Sequence, residues 1–177
     1  MYNPREDSKL LAIYVKKYAR GKVLDIGTGL GILAESAAKN KKVKNVLAVD
    51  VDQESIDYCK KNIINKKIKF ALSNLFNNVP GKYDTIAFNP PYLPNETEMD
   101  IKDKALYGGK RGYEIIERFL AQAKGHLNND GIILLLFSSQ TDKDKVDAII
   151  KKSSFKSKLL EKKHIFFEDF YVYVLTF

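Results

Sequence analysis

A four-residue segment, Asn89-Pro90-Pro91-Tyr92, contains the most specific chemistry in the chain. Two consecutive prolines remove two backbone donors and stiffen the turn, so the segment forms a rigid ledge that is rich in acceptors. The Asn89 side-chain oxygen and the Pro90 carbonyl can accept two hydrogen bonds from one NH2 group, and Tyr92 can stack on the planar group that carries it. An ordinary proline turn is the alternative interpretation. These four residues are our candidate catalytic residues, and we call them the ledge.

Such a ledge suits chemistry at an amide or aryl amine nitrogen, whose lone pair is delocalised and weakly nucleophilic. Hydrogen bonds to both N–H groups orient that nitrogen and make it more electron-rich, so positioning and electrostatics do most of the work. No nucleophilic side chain or metal is required. His126 and His164 are too isolated for a catalytic triad, and Cys59 is the single cysteine, so we expect no disulfide and no metal.

A glycine loop precedes the ledge in the chain, between a predicted strand and a predicted helix. Its spacing is G-x-G-x-G, one residue shorter than the dinucleotide fingerprint, which disfavours NAD and FAD. Glycines there let the backbone turn tightly and approach a ligand, whereas the preceding carboxylate can hold the ammonium of an amino-acid-like cofactor. A glycine turn without a ligand is the alternative. The candidate cofactor residues in this loop are Asp25, Gly27, Thr28, Gly29 and Gly31.

Three further residues can complete a cofactor site. Asp50 ends the second predicted strand, where a carboxylate can accept both hydroxyls of a ribose. Capping of the next helix is the other role open to Asp50, although Asp52 could fill it. Asn74 follows the third predicted strand, where its oxygen can accept a hydrogen bond from an adenine amine, and Leu75 could pack on the adenine.

An ammonium, a ribose and an adenine together match S-adenosyl-L-methionine, whose methylsulfonium would face the nitrogen on the ledge. We therefore expect an S-adenosylmethionine-dependent N-methyltransferase. A non-catalytic cofactor-binding or scaffold protein is a hypothesis from another class. The presence of Asp25, Gly27, Gly29, Asp50 and Asn89 argues against it.

Helices and strands alternate along the chain. A helix is predicted from Asn3-Pro4 to Gly21, another over 30–39, a third after Asp52, and two more from the apolar stripes at 115–127 and 146–150. The Asn and Gly residues of 128–131 predict a turn. Strands are predicted at 23–26, 46–50, 68–72, 83–88 and 132–137, with two final strands near 155–165 and 169–177.

This alternation predicts an α/β fold with a mostly parallel sheet covered on both faces. The two final strands predict an antiparallel hairpin, which resembles the ending of the class I (Rossmann-like) methyltransferase sheet of seven strands. We expect residues 1–177 to form a single methyltransferase domain, with an N-terminal helical segment over 1–20 and the catalytic sheet over 21–177. The ends of the first, second and fourth strands would then bring the loop, Asp50 and the ledge together.

Composition narrows the class of protein. The chain has 177 residues, 45% of them hydrophobic, and a formal net charge of +8. It has no apolar run long enough for a membrane span and no signal peptide at its N-terminus, so we expect a cytoplasmic protein without membrane contact. The charge could favour nucleic acid, although solvated lysine faces are the preferred explanation. Only four of the basic residues are arginines, which gives little support to sequence-specific DNA recognition.

Three segments of the chain resemble the HemK/PrmC family of protein-glutamine methyltransferases, in particular its short archaeal and eukaryotic branch. They are the start Tyr2-Asn3-Pro4-Arg5-Glu6-Asp7-Ser8, the glycine loop with the ledge, and the glycine-rich segment Ala105-Leu106-Tyr107-Gly108-Gly109-Lys110-Arg111-Gly112. The family modifies the glutamine of the Gly-Gly-Gln motif in translation release factors. Methylation of a release-factor glutamine, with S-adenosyl-L-methionine as cofactor, is what the resemblance implies.

The resemblance also implies roles for individual residues. Those that would contact the cofactor are Ser8, Asp25, Gly27, Asp50, Asn74, Leu75 and Asn89, and Asn89 would also hold the substrate nitrogen. The family's acid beside the adenine is replaced by Asn74, which removes a charge. Because only about twenty residues precede the first predicted strand, we expect no separate N-terminal helical domain like that of the bacterial branch, and we expect the substrate to dock on residues 93–112 or on a partner.

A partner and a competing substrate follow from the same resemblance. Members of the short branch pair through their third strand with a small zinc-binding activator, and Ile68, Phe70 and Leu72 could offer it an apolar row. The ledge alone is shared with RNA and DNA methyltransferases that act on an exocyclic base amine such as that of adenine. Nucleic acid is therefore the alternative acceptor, and a protein lysine is a third.

Overall fold

The computed structural model of the protein describes residues 6–95 and 106–177. The predicted helix start at Asn3-Pro4 lies outside the described residues. In chain order the elements are α1 Glu6–Tyr18, β1 Gly21–Ile26, α2 Ile32–Ala38, β2 Val43–Asp50, α3 Gln53–Asn62, β3 Ile68–Leu72, β4 Tyr83–Phe88, α4 Glu114–His126, β5 Leu127–Ser138, α5 Lys143–Lys152, β6 Lys156–Ile165 and β7 Glu168–Thr176.

The seven strands form one sheet in the order β3-β2-β1-β4-β5-β7-β6. Strands β1 to β5 pair in parallel, whereas β7 pairs antiparallel with both β5 and β6. The predicted fold class, a mostly parallel sheet that ends in an antiparallel hairpin, is confirmed. The chain runs outward from β1 to the edge strand β3 and then crosses back to β4, so the switch in direction lies between β1 and β4.

Both faces of the sheet are covered because the central strands are apolar on both sides. Helices α4 and α5 cover one face with a core that includes Phe88, Phe119 and Phe137. Helices α1 and α2 cover the other face, where small residues such as Ala34 and Ala37 allow close packing. None of the described helices is long and apolar enough to cross a membrane.

Helix α1 runs antiparallel to the central strands, with its first turn at their carboxyl ends. Asp7, in that turn, contacts Asn89 just after β4. At the other end of the helix, the Arg20 amide donates to the Thr85 hydroxyl near the start of β4, at 3.0 Å. Midway, the Tyr14 hydroxyl donates to Glu161 of β6 at 2.8 Å. The helix therefore spans the sheet and brings its acidic N-terminus to the ledge.

Three local predictions differ from the structure. The predicted turn at 128–131 is wrong, because β5 begins at Leu127 and includes these residues, with a register shift opposite Asp84. The Asn128 amide donates to the Asp84 carboxylate at 2.7 Å, which accommodates the extra residues. Helix α2 begins at Ile32, two residues later than predicted, and α1 ends at Tyr18, before Gly21.

The predicted apolar row on β3 is also only partly available. Strand β3 is an edge strand, as expected. However, Ile68 is buried and the half-buried Phe70 packs against the core beneath α1 and α2. Of the three predicted residues, Leu72 alone is exposed, at 44% of its surface.

Candidate active site

The predicted site residues meet at the carboxyl edge of the sheet. The glycine loop follows β1, Asp50 ends β2, Ser73 and Asn74 follow β3, and Asn89 follows β4. Since these strands are parallel and adjacent, their carboxyl ends lie side by side at the switch point, where open α/β sheets bind ligands. The topology therefore gathers groups that are more than 60 residues apart in the chain.

The glycine loop has backbone conformations that favour glycine at three positions. Gly27, Gly29 and Gly31 have φ values of 66°, 52° and 84°, in the left-handed region that side chains with a Cβ rarely adopt. In this conformation the Thr28 amide donates to the Val49 carbonyl at 3.0 Å, and the Gly29 amide donates to Asp50 at 2.8 Å. The loop is thus fastened to the end of β2.

Asp25 is fully buried under this loop. One of its oxygens, Oδ2, accepts hydrogen bonds from the Thr28 hydroxyl at 2.7 Å and from the Ala34 amide at 3.0 Å. The other, Oδ1, has no partner in the part of the chain that the structure describes. Burial raises the pKa of Asp25 to about 7, against the opposing effect of its two hydrogen bonds.

Asp50 occupies the position predicted for a ribose ligand. Its side chain is buried, with Oδ1 accepting from the Asp52 amide at 3.0 Å and Oδ2 accepting from the Gly29 amide. A carboxylate has about four acceptor positions, so two remain for other donors. Asp52 is the N-cap of α3, as predicted, because its side chain accepts from the Glu54 amide. Asp50 is therefore not needed for capping.

Cys59 contributes to the loop in a way that the sequence did not predict. Its buried thiol donates a hydrogen bond to the Gly29 carbonyl at 3.2 Å. Burial, together with the nearby Asp25 and Asp50, raises the pKa of this thiol to about 11. The thiol therefore stays protonated at neutral pH and acts as a donor that supports the loop.

In the loop after β3, the side chain of Asn74 is exposed whereas that of Leu75 is buried. Asn74 is exposed, and its side-chain oxygen lies 3.5 Å from an Arg118 nitrogen of α4. Leu75 has φ 50° and its side chain is buried among the core residues beneath α4. The Ser73 hydroxyl donates to the Leu75 carbonyl at 2.9 Å and accepts from the Asn78 amide, which holds this unusual conformation.

The ledge is bound to the start of α1. The Asn89 amide nitrogen donates to Asp7 Oδ2 and to the Ser8 hydroxyl, both at 3.1 Å. Ser8, predicted to contact the cofactor, is buried and contacts Asn89 in this structure. The Asn89 Oδ1 atom is buried and has no hydrogen-bond partner among the described residues. The Asn89 side chain thus offers a free acceptor and keeps its donors occupied.

The backbone of the ledge rests on the glycine-rich segment. The Leu93 amide donates to the Leu106 carbonyl, and the Gly108 amide donates back to the Leu93 carbonyl, both at 3.0 Å. A methyl group on Gly108 would collide with the backbone oxygens of Pro91 and Gly112. On the other side, the Thr141 hydroxyl donates to the Tyr92 carbonyl at 2.9 Å. The lack of a side chain at Gly108 therefore allows close backbone contact between the glycine-rich segment and the ledge.

Together these groups fit S-adenosylmethionine. The partnerless Asp25 oxygen can take a donor such as an ammonium, the two remaining positions on Asp50 can take ribose hydroxyls, and the loop after β3 is open on the Asn74 side. A buried acceptor without a partner costs about 1–3 kcal/mol, so a ligand donor at Asp25 would recover stability. A pyrophosphate would fit this loop poorly, because the Asp50 carboxylate would repel its negative charge and already occupies the Gly29 amide.

A family model for the methyltransferase small domain matches residues 5–167 of this chain. The chain belongs to the methyltransferase small domain family. A protein of Methanocaldococcus jannaschii described as an N5-glutamine methyltransferase is 35% identical over 97% of this chain and 89% of its own length. The predicted resemblance to HemK-like enzymes is confirmed, and this family member is a methyltransferase that uses S-adenosylmethionine.

Bacterial relatives are longer. The release factor glutamine methyltransferase of Streptococcus pneumoniae is 35% identical over 64% of this chain and only 44% of its own length. That of Buchnera aphidicola is 32% identical over 86% of this chain and 60% of its own length. The chain thus spans about half the length of these bacterial relatives.

Solved structures share the fold of this methyltransferase. The E. cuniculi Mtq2-Trm112 complex, described as responsible for the methylation of the eRF1 translation termination factor, contains a chain with a TM-score of 0.77. That chain is 24% identical, with 99% of this chain and 97% of its own length covered. A Pyrococcus furiosus methyltransferase has a TM-score of 0.71 at 27% identity, over 99% of this chain and 87% of its own length.

Several residues of the site were missed by sequence reasoning. Asp7 and Arg118 are distant in sequence from the residues they contact, and Cys59 looked like an ordinary apolar helix position. Only the Glu-Asp-Ser start of α1 carried a signal, as part of the family resemblance. A search for polar residues on the first turn of a helix that must cover the sheet could have found Asp7.

Replacing Gly108 by alanine should disturb the ledge, because the new methyl group would displace the Pro91 carbonyl. We expect kcat to fall about 10- to 100-fold, since small misplacements at a reacting centre have effects of that order. The cofactor dissociation constant, measured by calorimetry, should change less than about twofold because the glycine loop is untouched. The matched control is Gly125→Ala in α4, where an added Cβ meets nothing within 4 Å. Equal kcat for both variants would contradict this role of Gly108.

Asp25 should make the stability of the cofactor-free protein depend on pH. Its pKa is raised to about 7 from an unfolded value near 3.8. Between these values the unfolded chain releases the proton while the folded protein keeps it, so stability is lost as pH rises through this window and is level above it. The free energy of unfolding of the wild type, minus that of Asp25→Asn, should therefore fall between pH 5 and pH 7, by at most about 1.4 kcal/mol per pH unit. Urea titrations of both proteins across this pH range measure the difference in unfolding free energy. A difference that stays constant or rises with pH would contradict the raised pKa of Asp25.

Proposed function

We propose that this chain transfers a methyl group from S-adenosylmethionine to the side-chain amide nitrogen of a protein glutamine, in the Gly-Gly-Gln motif of a translation release factor. The observation that carries the proposal is the buried side-chain oxygen of Asn89 just after β4, which has no hydrogen-bond partner within residues 6–95 and 106–177. It is an acceptor suited to one N–H of a planar amide. The other N–H would be accepted by the Pro90 carbonyl.

The ledge residues activate the acceptor nitrogen by orientation. Two accepted hydrogen bonds hold the amide NH2 in one plane and increase electron density on the nitrogen. The Tyr92 ring, held edge-on to Phe170 with ring centroids 6.1 Å apart, gives the amide plane a flat surface to lie on.

When bound, S-adenosylmethionine supplies an electrophilic methyl group on a sulfonium. The residues proposed to hold it are Ser8, Asp25, Gly27, Thr28, Gly29, Gly31, Asp50, Asn74, Leu75 and Asn89. The lone pair of the acceptor nitrogen forms the new N–C bond, the electron pair of the C–S bond stays on sulfur, and one N–H proton of the acceptor passes to water. No side chain of the protein changes its covalent state.

The relatives support this choice of acceptor. Those in Streptococcus and Buchnera are named release factor glutamine methyltransferases, and the archaeal one is described as acting on the N5 of glutamine. A Bordetella pertussis relative, 33% identical over 68% of this chain, is named for glutamine methylation of ribosomal protein uL3. Different proteins thus serve as acceptors among the relatives, whereas the glutamine amide is common to them. We further propose that residues 1–177 act as one catalytic domain in the cytoplasm.

The test uses labelled S-adenosylmethionine with purified release factor and, in parallel, with ribosomal protein uL3 and with total RNA and DNA. We expect label on the release factor and about 100-fold less with the Asn89→Ala variant, which is the size of effect expected when one preorganised hydrogen-bonding group is removed. A release factor whose Gly-Gly-Gln glutamine is replaced by alanine should take no label.

Two outcomes would overturn the proposed acceptor. Label on nucleic acid but not on protein would assign the ledge to an exocyclic base amine. Label that persists on the release factor without its Gly-Gly-Gln glutamine would point to another side chain, such as lysine. Calorimetry of cofactor binding to Asn89→Ala shows whether the variant has lost only methyl transfer or has lost cofactor binding as well.

We also propose that a small zinc-binding activator protein pairs with strand β3. This strand is the free edge of the parallel part of the sheet, and its backbone can accept a further strand. Exposed apolar side chains lie at its two ends, with Ile64 at 97% exposed before it and Leu72 within it. The solved Mtq2 chain was obtained as a complex with Trm112.

Co-expression with a Trm112-like protein should increase soluble yield and methylation, and the two chains should co-purify. A Leu72→Lys substitution should weaken this association at least about tenfold, because it introduces a charge into an apolar contact. The control is Ile13→Lys, a similarly exposed apolar residue on α1, which does not belong to β3. Full activity of the chain alone, without co-purification, would contradict the need for an activator.

A further inference from the structure

Asp7 contacts both functional side chains of the ledge with a single oxygen. It lies in the first turn of α1 and is only 2% exposed. Its Oδ2 atom accepts a hydrogen bond from the Asn89 amide nitrogen at 3.1 Å and one from the Tyr92 hydroxyl at 3.3 Å. One carboxylate oxygen therefore ties the first and last residues of the ledge to a helix on the neighbouring layer.

This contact decides which way the Asn89 amide faces. A carboxylate accepts hydrogen bonds, so the NH2 side of Asn89 must point towards Asp7. The Ser8 hydroxyl supports the same orientation, because it donates to Asp7 Oδ1 at 3.4 Å and accepts from Asn89 at 3.1 Å. The Asn89 oxygen therefore lies on the opposite side of the amide from these two contacts, and the described part of the chain offers it no hydrogen-bond partner.

The same contact polarises Asn89. Donating its N–H to a buried charged acceptor shifts electron density of the amide towards its oxygen, which strengthens that oxygen as an acceptor. The acceptor nitrogen gains positive charge as the methyl group arrives, until its proton leaves. An oxygen made more negative beside that nitrogen stabilises the charge at the point where it develops.

We propose that Asp7 is a positioning residue for methyl transfer: it fixes the Asn89 amide with its oxygen towards the acceptor and holds the Tyr92 ring beside it. Asp7 acts through these two side chains and does not itself touch the acceptor. This inference rests on the proposed function only in requiring an acceptor with an NH2 group.

The first experiment is Asp7→Asn, with Glu6→Gln as the matched control. Both remove one carboxylate from the first turn of α1, but Glu6 is exposed and pairs with Lys9. An amide at position 7 can also donate, so it no longer fixes the orientation of Asn89. We expect kcat to fall about 10- to 100-fold in Asp7→Asn, with the cofactor dissociation constant and the melting temperature close to those of Glu6→Gln. Glu6→Gln should have wild-type kcat.

The second experiment asks whether Asp7 acts through Asn89. In an Asn89→Ala background, Asp7→Asn should cause no further loss of kcat, since residues that act as a unit are not additive. The exchanged pair Asp7→Asn with Asn89→Asp restores one donor and one acceptor at this contact. It should be about tenfold or more active than Asn89→Asp alone, in which two carboxylates would face each other at hydrogen-bond distance. This comparison remains informative if the Asp7→Asn single variant folds poorly.

The results separate this inference from the proposed function. Methylation by the wild type and by Glu6→Gln identifies the acceptor, and the kcat ratios are then measured with that acceptor, whether protein or nucleic acid. A kcat for Asp7→Asn within twofold of Glu6→Gln would overturn the role of Asp7. So would an equal loss in the presence and absence of Asn89, or an exchanged pair no more active than Asn89→Asp alone.

Discussion

The parallel pairing of β1 with β2 on one side and β4 on the other fixes the positions of the glycine loop, Asp50 and Asn89. The strand register places Ile26 beside Val49 and Phe88. The glycine loop, Asp50 and Asn89 follow these three residues directly, so they lie side by side at one edge of the sheet. Large buried side chains on both faces of these strands hold the register, because a slip of one residue would turn each of them to the wrong face. The loops can therefore adopt conformations that would be unfavourable without this support.

Unsatisfied acceptors at the end of this framework give the site its chemical character. Asp25 Oδ1 and Asn89 Oδ1 are both buried and partnerless in the part of the chain that the structure describes. Each such atom costs about 1–3 kcal/mol, which ordinary folding would avoid. Donors surround the other oxygen of Asp25, and acceptors surround the amide nitrogen of Asn89, so neither side chain can turn to satisfy the free oxygen without breaking existing hydrogen bonds. We expect donors of the cofactor and the substrate to complete the hydrogen bonding, which would link stability to binding.

Much of the fold was visible in the sequence because it depends on local patterns. The continuous apolar run at 132–137 predicted a buried strand, and the alternation of strands with helices predicted parallel pairing. The turn predicted at 128–131 was wrong because its Asn and Gly residues favour a turn locally, whereas the Asn128 bond to Asp84 and the pairing of Leu127 with Tyr83 retain the strand. Tertiary contacts decided that segment.

The site was predictable in its motifs but not in its connections. The glycine loop, Asp50 and the ledge could be identified because each carries its chemistry in adjacent residues. The Asp7 contact with Asn89 spans 82 residues, and the Cys59 contact with Gly29 spans 30, so neither follows from spacing. For Ser8, the cofactor contact that the resemblance implies stays a prediction, and the bond of its hydroxyl to Asn89 is a further connection that spacing does not indicate.

The most direct measurement is to locate the transferred methyl group by tandem mass spectrometry of the release factor after reaction with this enzyme. We expect one methyl group on the side-chain amide nitrogen of the Gly-Gly-Gln glutamine, because the ledge presents acceptors for two N–H groups of a planar amide. A methyl group on a lysine amine, or on a base amine of co-incubated nucleic acid with none on the glutamine, would contradict it.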